Sequence, residues 1–228
     1  DQSFRGAHRN PIASFKLAVL NTSSLNRLVM SFRNSCLATI GFFLSAIILT
    51  PTQASGALDS LVLQGILDLD VPSGGSDGKA LHFLAVEDVD DLSQYGVGTA
   101  NNGGGTDGQE YTFPTQALDE GQHLLLARST AAMSAYFGAC IAEFGLVLEA
   151  SSAVNQNGDD AIELYFEEEV IETFGDPDVD GSGESWEYSD SWAFKSESGD
   201  WAMGGLGCST GATTEDSACP YPLCSESE

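Results

Sequence analysis

The chain has 228 residues, 42% of them apolar, with 34 Asp and Glu against eight Lys and Arg, a formal net charge of −26. Such a length can bury one domain-sized core, and such a charge repels phosphate backbones, which argues against direct nucleic-acid binding. The charges are also segregated: Arg5, Arg9, Lys16, Arg27 and Arg33 precede residue 55, and Asp1 is the only acid there.

Residues 1–29 show no periodicity and do not begin with Met. We read them as an upstream segment foreign to the fold, with Met30 as the start of translation. Arg33, the apolar run CLATIGFFLSAIIL (Cys36–Leu49) and the small residues Thr52 and Ala54 follow. A positive start, a short apolar stretch and a small-residue cleavage site make a secretory signal peptide, residues 30–54. The run is shorter than the roughly 20 residues of a membrane-spanning helix, so no stable span is expected after cleavage. Residues 55–228 are therefore expected to be exported, to the periplasm, the medium or the cell surface. They hold 33 acids against Lys79, Arg128 and Lys195. That balance, −30, suits a saline exterior, where ions screen self-repulsion, and it suits divalent cations.

From Leu61 onward, short β-type runs alternate with Gly-, Asn- and Asp-rich turns. LVLQGILDL (61–69) and KALHFLAV (79–86) are separated by the turn GGSDG. GVGTANNGGGTDG (96–108) is expected to be a long flexible loop, because its many glycines raise the entropy cost of order. QHLLLARS (122–129) is a strand, and TAAMSAYFGAC (130–140) reads as the one helix, with Met133, Tyr136 and Phe137 on one face. GLVLEA (145–150), DAIELYFE (160–167), VIETFG (170–175), WEYSDSWAF (186–194) and DWAMG (200–204) complete the strands. Many short strands at close spacing give an all-β class and a sandwich. The strand domain spans 55–206, and 207–228 is a polar, Cys-containing tail.

Cys140, Cys208, Cys219 and Cys224 are an even set in a chain expected to be exported, which reads as two disulfides. Three pairings are open. The one we favour closes the tail on itself (Cys208 to Cys219) and ties it to the body (Cys140 to Cys224). Paired CxxC elements and a nearby His are missing from the C-terminal three, which disfavours zinc.

An internal echo links GKALHFLAVEDVDDLSQYGVG (78–98) with GDDAIELYFEEEVIETFG (158–175), suggesting two similar strand–turn–strand units. The blocks KALHFLAV, DLSQYGVGTANNGGG, NGDDAIELYFEEEVIETFG and DVDGSGESWEYSDSWAF, with the ending CPYPLC, resemble the lamin-tail-like domain of bacterial exported proteins. The resemblance covers residues 58–224. It implies an immunoglobulin-like β-sandwich with no catalytic residues of its own, often found beside extracellular nucleases and other secreted hydrolases. It implies a binding, structural or attachment role toward a protein or cell-surface partner.

One stretch carries a sharper chemical pattern. DPDVDGSGESWE places Asp176, Asp178 and Asp180 at positions 1, 3 and 5 of a calcium loop, Gly181 at 6 and Glu187 at 12. Calcium loops need side-chain oxygens at the first three, a sharp turn at Gly and a bidentate acid at the end. The flanks read as strands, so this is not an EF-hand, and a Gly-shaped acidic turn explains the same residues. The calcium reading leads to a calcium-dependent surface-adhesion domain. GGSDG also fits GxSxG with Ser76 as nucleophile, but that motif needs a following helix and a strand follows here. His82 and His123 read as polar strand-face residues. Trp186, Tyr188, Trp192 and Phe194 share one parity and are expected to face the core together.

Overall fold

The computed structural model describes residues 58–72, 75–210 and 213–225. The upstream segment (1–29) and the signal peptide (30–54) of the sequence reading lie outside the described residues. Among the described residues ten strands form two sheets. They are β1 (Leu61–Leu69), β2 (Gly78–Ala85), β3 (Tyr95–Ala100), β4 (Tyr111–Thr112), β5 (His123–Ala127), β6 (Leu146–Glu149), β7 (Ala161–Phe166), β8 (Glu169–Phe174), β9 (Ser191–Lys195) and β10 (Trp201–Met203). The wider sheet runs β10-β9-β1-β2-β5-β6 and the narrower runs β4-β3-β7-β8. All neighbours are antiparallel except β5 and β6. A parallel pair needs a crossover connection, and helix α1 (Thr130–Phe137) lies in it. The Ser129 hydroxyl caps its first turn by accepting from Ala132 N–H at 3.3 Å.

The pattern within β1 shows why the wider sheet has no wet face in its middle. Leu61, Leu63 and Ile66 face the narrower sheet, packing with Phe83, Leu126, Val97, Ile162, Leu164 and Phe174. The change from odd to even parity follows from a register shift against β2 between Leu63 and Gly65, since an extra residue flips every later side chain. Leu67 and Leu69 then point to the opposite face. There a second apolar layer gathers Leu125, Trp192, Met133, Tyr136, Phe137, Phe144 and Tyr221. The expected face of α1 is confirmed, because Met133, Tyr136 and Phe137 are its buried residues.

Covering this second face is the task of the C-terminal segment, which is far from a merely polar tail. Tyr221 and Cys219 are buried there, and a single-turn helix, α2 (Pro222–Ser225), follows. Disulfides join Cys140 to Cys224 and Cys208 to Cys219, each with Cα atoms 5.6 Å apart. The favoured pairing is the one found. The Trp192 indole N–H donates to the Cys219 carbonyl at 2.9 Å, fastening the segment to β9.

Three readings of the sequence need correction. GVGTANNGGGTDG begins with a strand, not a loop, since all six residues of β3 are buried. A Cβ on Gly98 would stand 2.4 Å from the Gly108 carbonyl oxygen, so glycine here serves close backbone approach rather than freedom. WEYSDSWAF is not one strand. Asp190 adopts φ 49° and β9 starts only at Ser191. Trp186 and Tyr188 therefore join the inter-sheet core, whereas Trp192 and Phe194 join the second layer and Ala193 faces inward. The internal echo is not structural: β7 and β8 form a hairpin in one sheet, but β2 and β3 belong to different sheets. At the tip of that hairpin Glu167 and Glu168 have φ 49° and 69° and are exposed, as an acidic turn predicts.

Candidate functional site

In the Asp176–Glu187 stretch Asp176, Asp180 and Glu187 each serve a local turn. Asp176 Oδ1 accepts from Asp178 N–H at 3.0 Å, and Asp180 Oδ1 accepts from Ser182 N–H at 3.0 Å. Glu187 Oε2 accepts from Gly183 N–H at 2.7 Å and its Oε1 accepts from the Ser189 hydroxyl at 3.0 Å. Asp178 is exposed. Among the described residues no group of three or more His, Cys, Asp or Glu converges as a metal site would require. The stretch also closes over the 101–105 segment, with Gly105 N–H donating to the Pro177 carbonyl at 2.9 Å.

Asp160, just before β7, and Glu163 within it hold the 101–106 segment. Asp160 and Glu163 are each 1% exposed. Asp160 accepts from Asn102 N–H at 2.8 Å and Asn157 N–H at 3.0 Å. Glu163 accepts from the Thr106 hydroxyl at 2.5 Å and the Tyr165 hydroxyl at 2.8 Å. Burial raises the Asp160 carboxyl above the usual range, and the two amides offset part of that rise. These carboxylates tie the glycine-rich loop to the β7 side of the sheet. Asp160→Ala removes both acceptors and is expected to cost about 2–3 kcal/mol in urea unfolding, with Asp160→Asn losing less because one oxygen remains.

The acids before β3 bind one local and one distant backbone amide. Asp91 accepts from Ser93 N–H at 2.9 Å, and Asp88 accepts from Glu120 N–H at 2.9 Å. Ser76 is exposed in the turn before β2, while both ring nitrogens of His82 are engaged elsewhere. The GGSDG motif therefore has no nucleophile–base pair through His82.

What the sequence reading missed is a buried polar chain between the wider sheet and the C-terminal segment. His82 on β2 is fully buried. Its Nδ1 lies 2.8 Å from the Tyr221 hydroxyl and its Nε2 lies 2.8 Å from Nδ1 of His123 on β5. The β2–β5 register pairs Leu84 with His123 and His82 with Leu125, so the two histidines are diagonal neighbours on one face. Phe144 packs edge-on at 5.0 Å, and Phe194 lies at 6.1 Å. Burial holds the His82 imidazole well below its ordinary pKa, and the neighbouring His123 adds to this.

Hydrogen-bond accounting sets the direction of the chain. The buried phenol must donate its one hydrogen, and His82 Nδ1 is the acceptor in reach. His82 then carries its hydrogen on Nε2 and donates to His123 Nδ1. His123 therefore presents Nε2–H to the groove it lines with Gln64, Leu84, Phe194, Lys195 and Leu223. Burial lowers the His123 pKa too, and Glu143 opposes that shift. Lys195 in this groove pairs with Glu172 of β8, whose other oxygen accepts from Leu63 N–H at 2.8 Å, so the pair stitches the two sheets together.

Among the described residues no helix is long and apolar enough to cross a membrane. Comparison with family models, with characterised proteins and with solved structures finds no match to this chain.

Proposed function

We propose that residues 55–228 form an exported, non-catalytic lamin-tail-like module that attaches to a protein or cell-surface partner. The observation that carries this reading is a β-sandwich of two sheets whose C-terminal layer is bound by two disulfides. Such bridges form and persist in oxidising compartments. Two packed β-sheets are what the resemblance implies, and the immunoglobulin-like description is taken from it. Asp160, Glu163, His82 and Glu172 fasten loops and layers to one another, which fits a structural module. The acid excess keeps the surface soluble and steers cationic partners toward it. An accessory role beside an extracellular hydrolase or nuclease is compatible with the same module.

The purified chain, offered DNA, RNA and chromogenic ester and glycoside substrates, is expected to turn over none. Turnover that one substitution in this chain abolishes would overturn the reading. A calcium-dependent adhesion domain would hold its ion at Asp176, Asp178, Asp180 and Glu187. Since three of these acids are occupied by local amides, we expect no difference in melting temperature between calcium and magnesium at fixed high salt. A rise seen with calcium alone, and lost in Asp178→Asn, would establish the site, because binding to the folded state raises the midpoint by mass action.

A further inference from the structure

We propose that the Tyr221–His82–His123 chain is an acid-released latch on the C-terminal layer, closed while both imidazoles are neutral and opened by protonation of His82. The geometry carries this. The chain of donors, phenol to His82 Nδ1 and His82 Nε2–H to His123 Nδ1, is satisfied at each contact with both rings neutral. A further proton puts two hydrogens into one of these 2.8 Å contacts, or reverses the chain and strands the buried phenol hydrogen. No carboxylate acts on His82, whereas Glu143 acts on His123. The groups packed on His82 are Phe144, Phe194 of β9, His123 of β5 and Tyr221, and only the last two titrate. Around His123 stand Glu143 and, along the groove, Lys195 and Glu197.

Tyr221 is the contact through which a proton can act on the layer. It is fully buried and packs edge-on against Trp192 at 5.9 Å and Phe194 at 5.4 Å. When the segment around it lifts, His82 meets water and titrates at its ordinary value of about 6.5. The closed form is then favoured above that pH and loses ground as pH falls below it, about tenfold per unit for one histidine. The bridges Cys140–Cys224 and Cys208–Cys219 keep the lifted segment tethered, so the opening is local and reversible. What it uncovers is apolar: Leu67, Leu125, Tyr136 and Phe137.

Hydrogen exchange of the oxidised full chain, corrected for the pH dependence of chemical exchange, tests this. The relevant amides are Thr214 N–H on the Tyr136 carbonyl, Tyr221 N–H on the Thr214 hydroxyl and Cys224 N–H on the Tyr221 carbonyl. Their protection is expected to fall about 30-fold from pH 7.5 to pH 5, while β7 holds. His82→Gln is expected to remove that fall, and His123→Gln, which keeps an acceptor for His82, to retain most of it. Tail protection that ignores pH overturns the proposal, as does a fall that persists in His82→Gln. Should that variant not fold, NMR of the unmodified protein decides. A His82 ring titrating near its ordinary midpoint while the tail amides stay protected would refute the latch.

Discussion

Gly65→Ala is expected to destabilise the protein by about 3 kcal/mol, a large effect for one methyl group. A Cβ at Gly65 would lie 1.8 Å from the Tyr221 hydroxyl oxygen and 3.1 Å from the ring carbon that bears it. Neither side can give way easily. Gly65 sits between β2 and β9 in the middle of the wider sheet. Tyr221 is wedged under Trp192 and Phe194 and hydrogen-bonded to His82. Displacing the phenol leaves His82 Nδ1 buried without its donor, which adds to the overpacking cost. Tyr221→Phe removes the clashing oxygen. In that background the cost of Gly65→Ala is expected to fall to about 1 kcal/mol, with the residual ring-carbon contact explaining the remainder. A double-mutant cycle by urea unfolding measures the coupling, and additive effects would show that Tyr221 is not the obstacle.

The two disulfides are expected to differ in worth. Cys140–Cys224 closes a separation of 84 residues and Cys208–Cys219 one of 11. In the chain-entropy account the longer bridge contributes about 4.5 kcal/mol and the shorter about 3 kcal/mol. Replacing Cys140 and Cys224 by Ala should therefore lower stability more than replacing Cys208 and Cys219. The location reinforces this order, because the longer bridge ties the end of the covering segment, just past Tyr221, to the residues after α1. Paired unfolding curves of the two double variants check it. Equal losses would mean that native packing, not chain closure, sets the contribution.

Much of the fold was legible because most strands advertise themselves by period. LVLQGILDL, DAIELYFE and VIETFG alternate or carry β-branched and aromatic residues, and β1, β7 and β8 stand where those runs predict. The glycines of 96–100 misled because composition cannot tell a close-approach glycine from a free one. WEYSDSWAF misled because parity holds only while the backbone stays extended, and Asp190 breaks it. The tail misled because its buried side chains are few and widely spaced, yet Tyr221 fills a slot that Gly65 leaves open. The candidate calcium stretch was visible as a pattern of acids, but which amides Asp176, Asp180 and Glu187 cap depends on how the turn folds. The His82 chain spans contacts 41 and 139 residues apart in sequence. Two lone histidines on predicted strands were the available signal, and it required the register of β2 on β5 to become meaningful.

The central claim, an exported sandwich whose third layer is locked by its own cysteines, is met most directly by non-reducing peptide mapping. The chain would be produced from Met30 onward in a secreting bacterial host and recovered from outside the cytoplasm. The account predicts a new N-terminus near residue 55, no free thiol, and the pairs Cys140–Cys224 and Cys208–Cys219. Retention in the cytoplasm with reduced cysteines, or bridges joining Cys140 to Cys208 or Cys219, would contradict it.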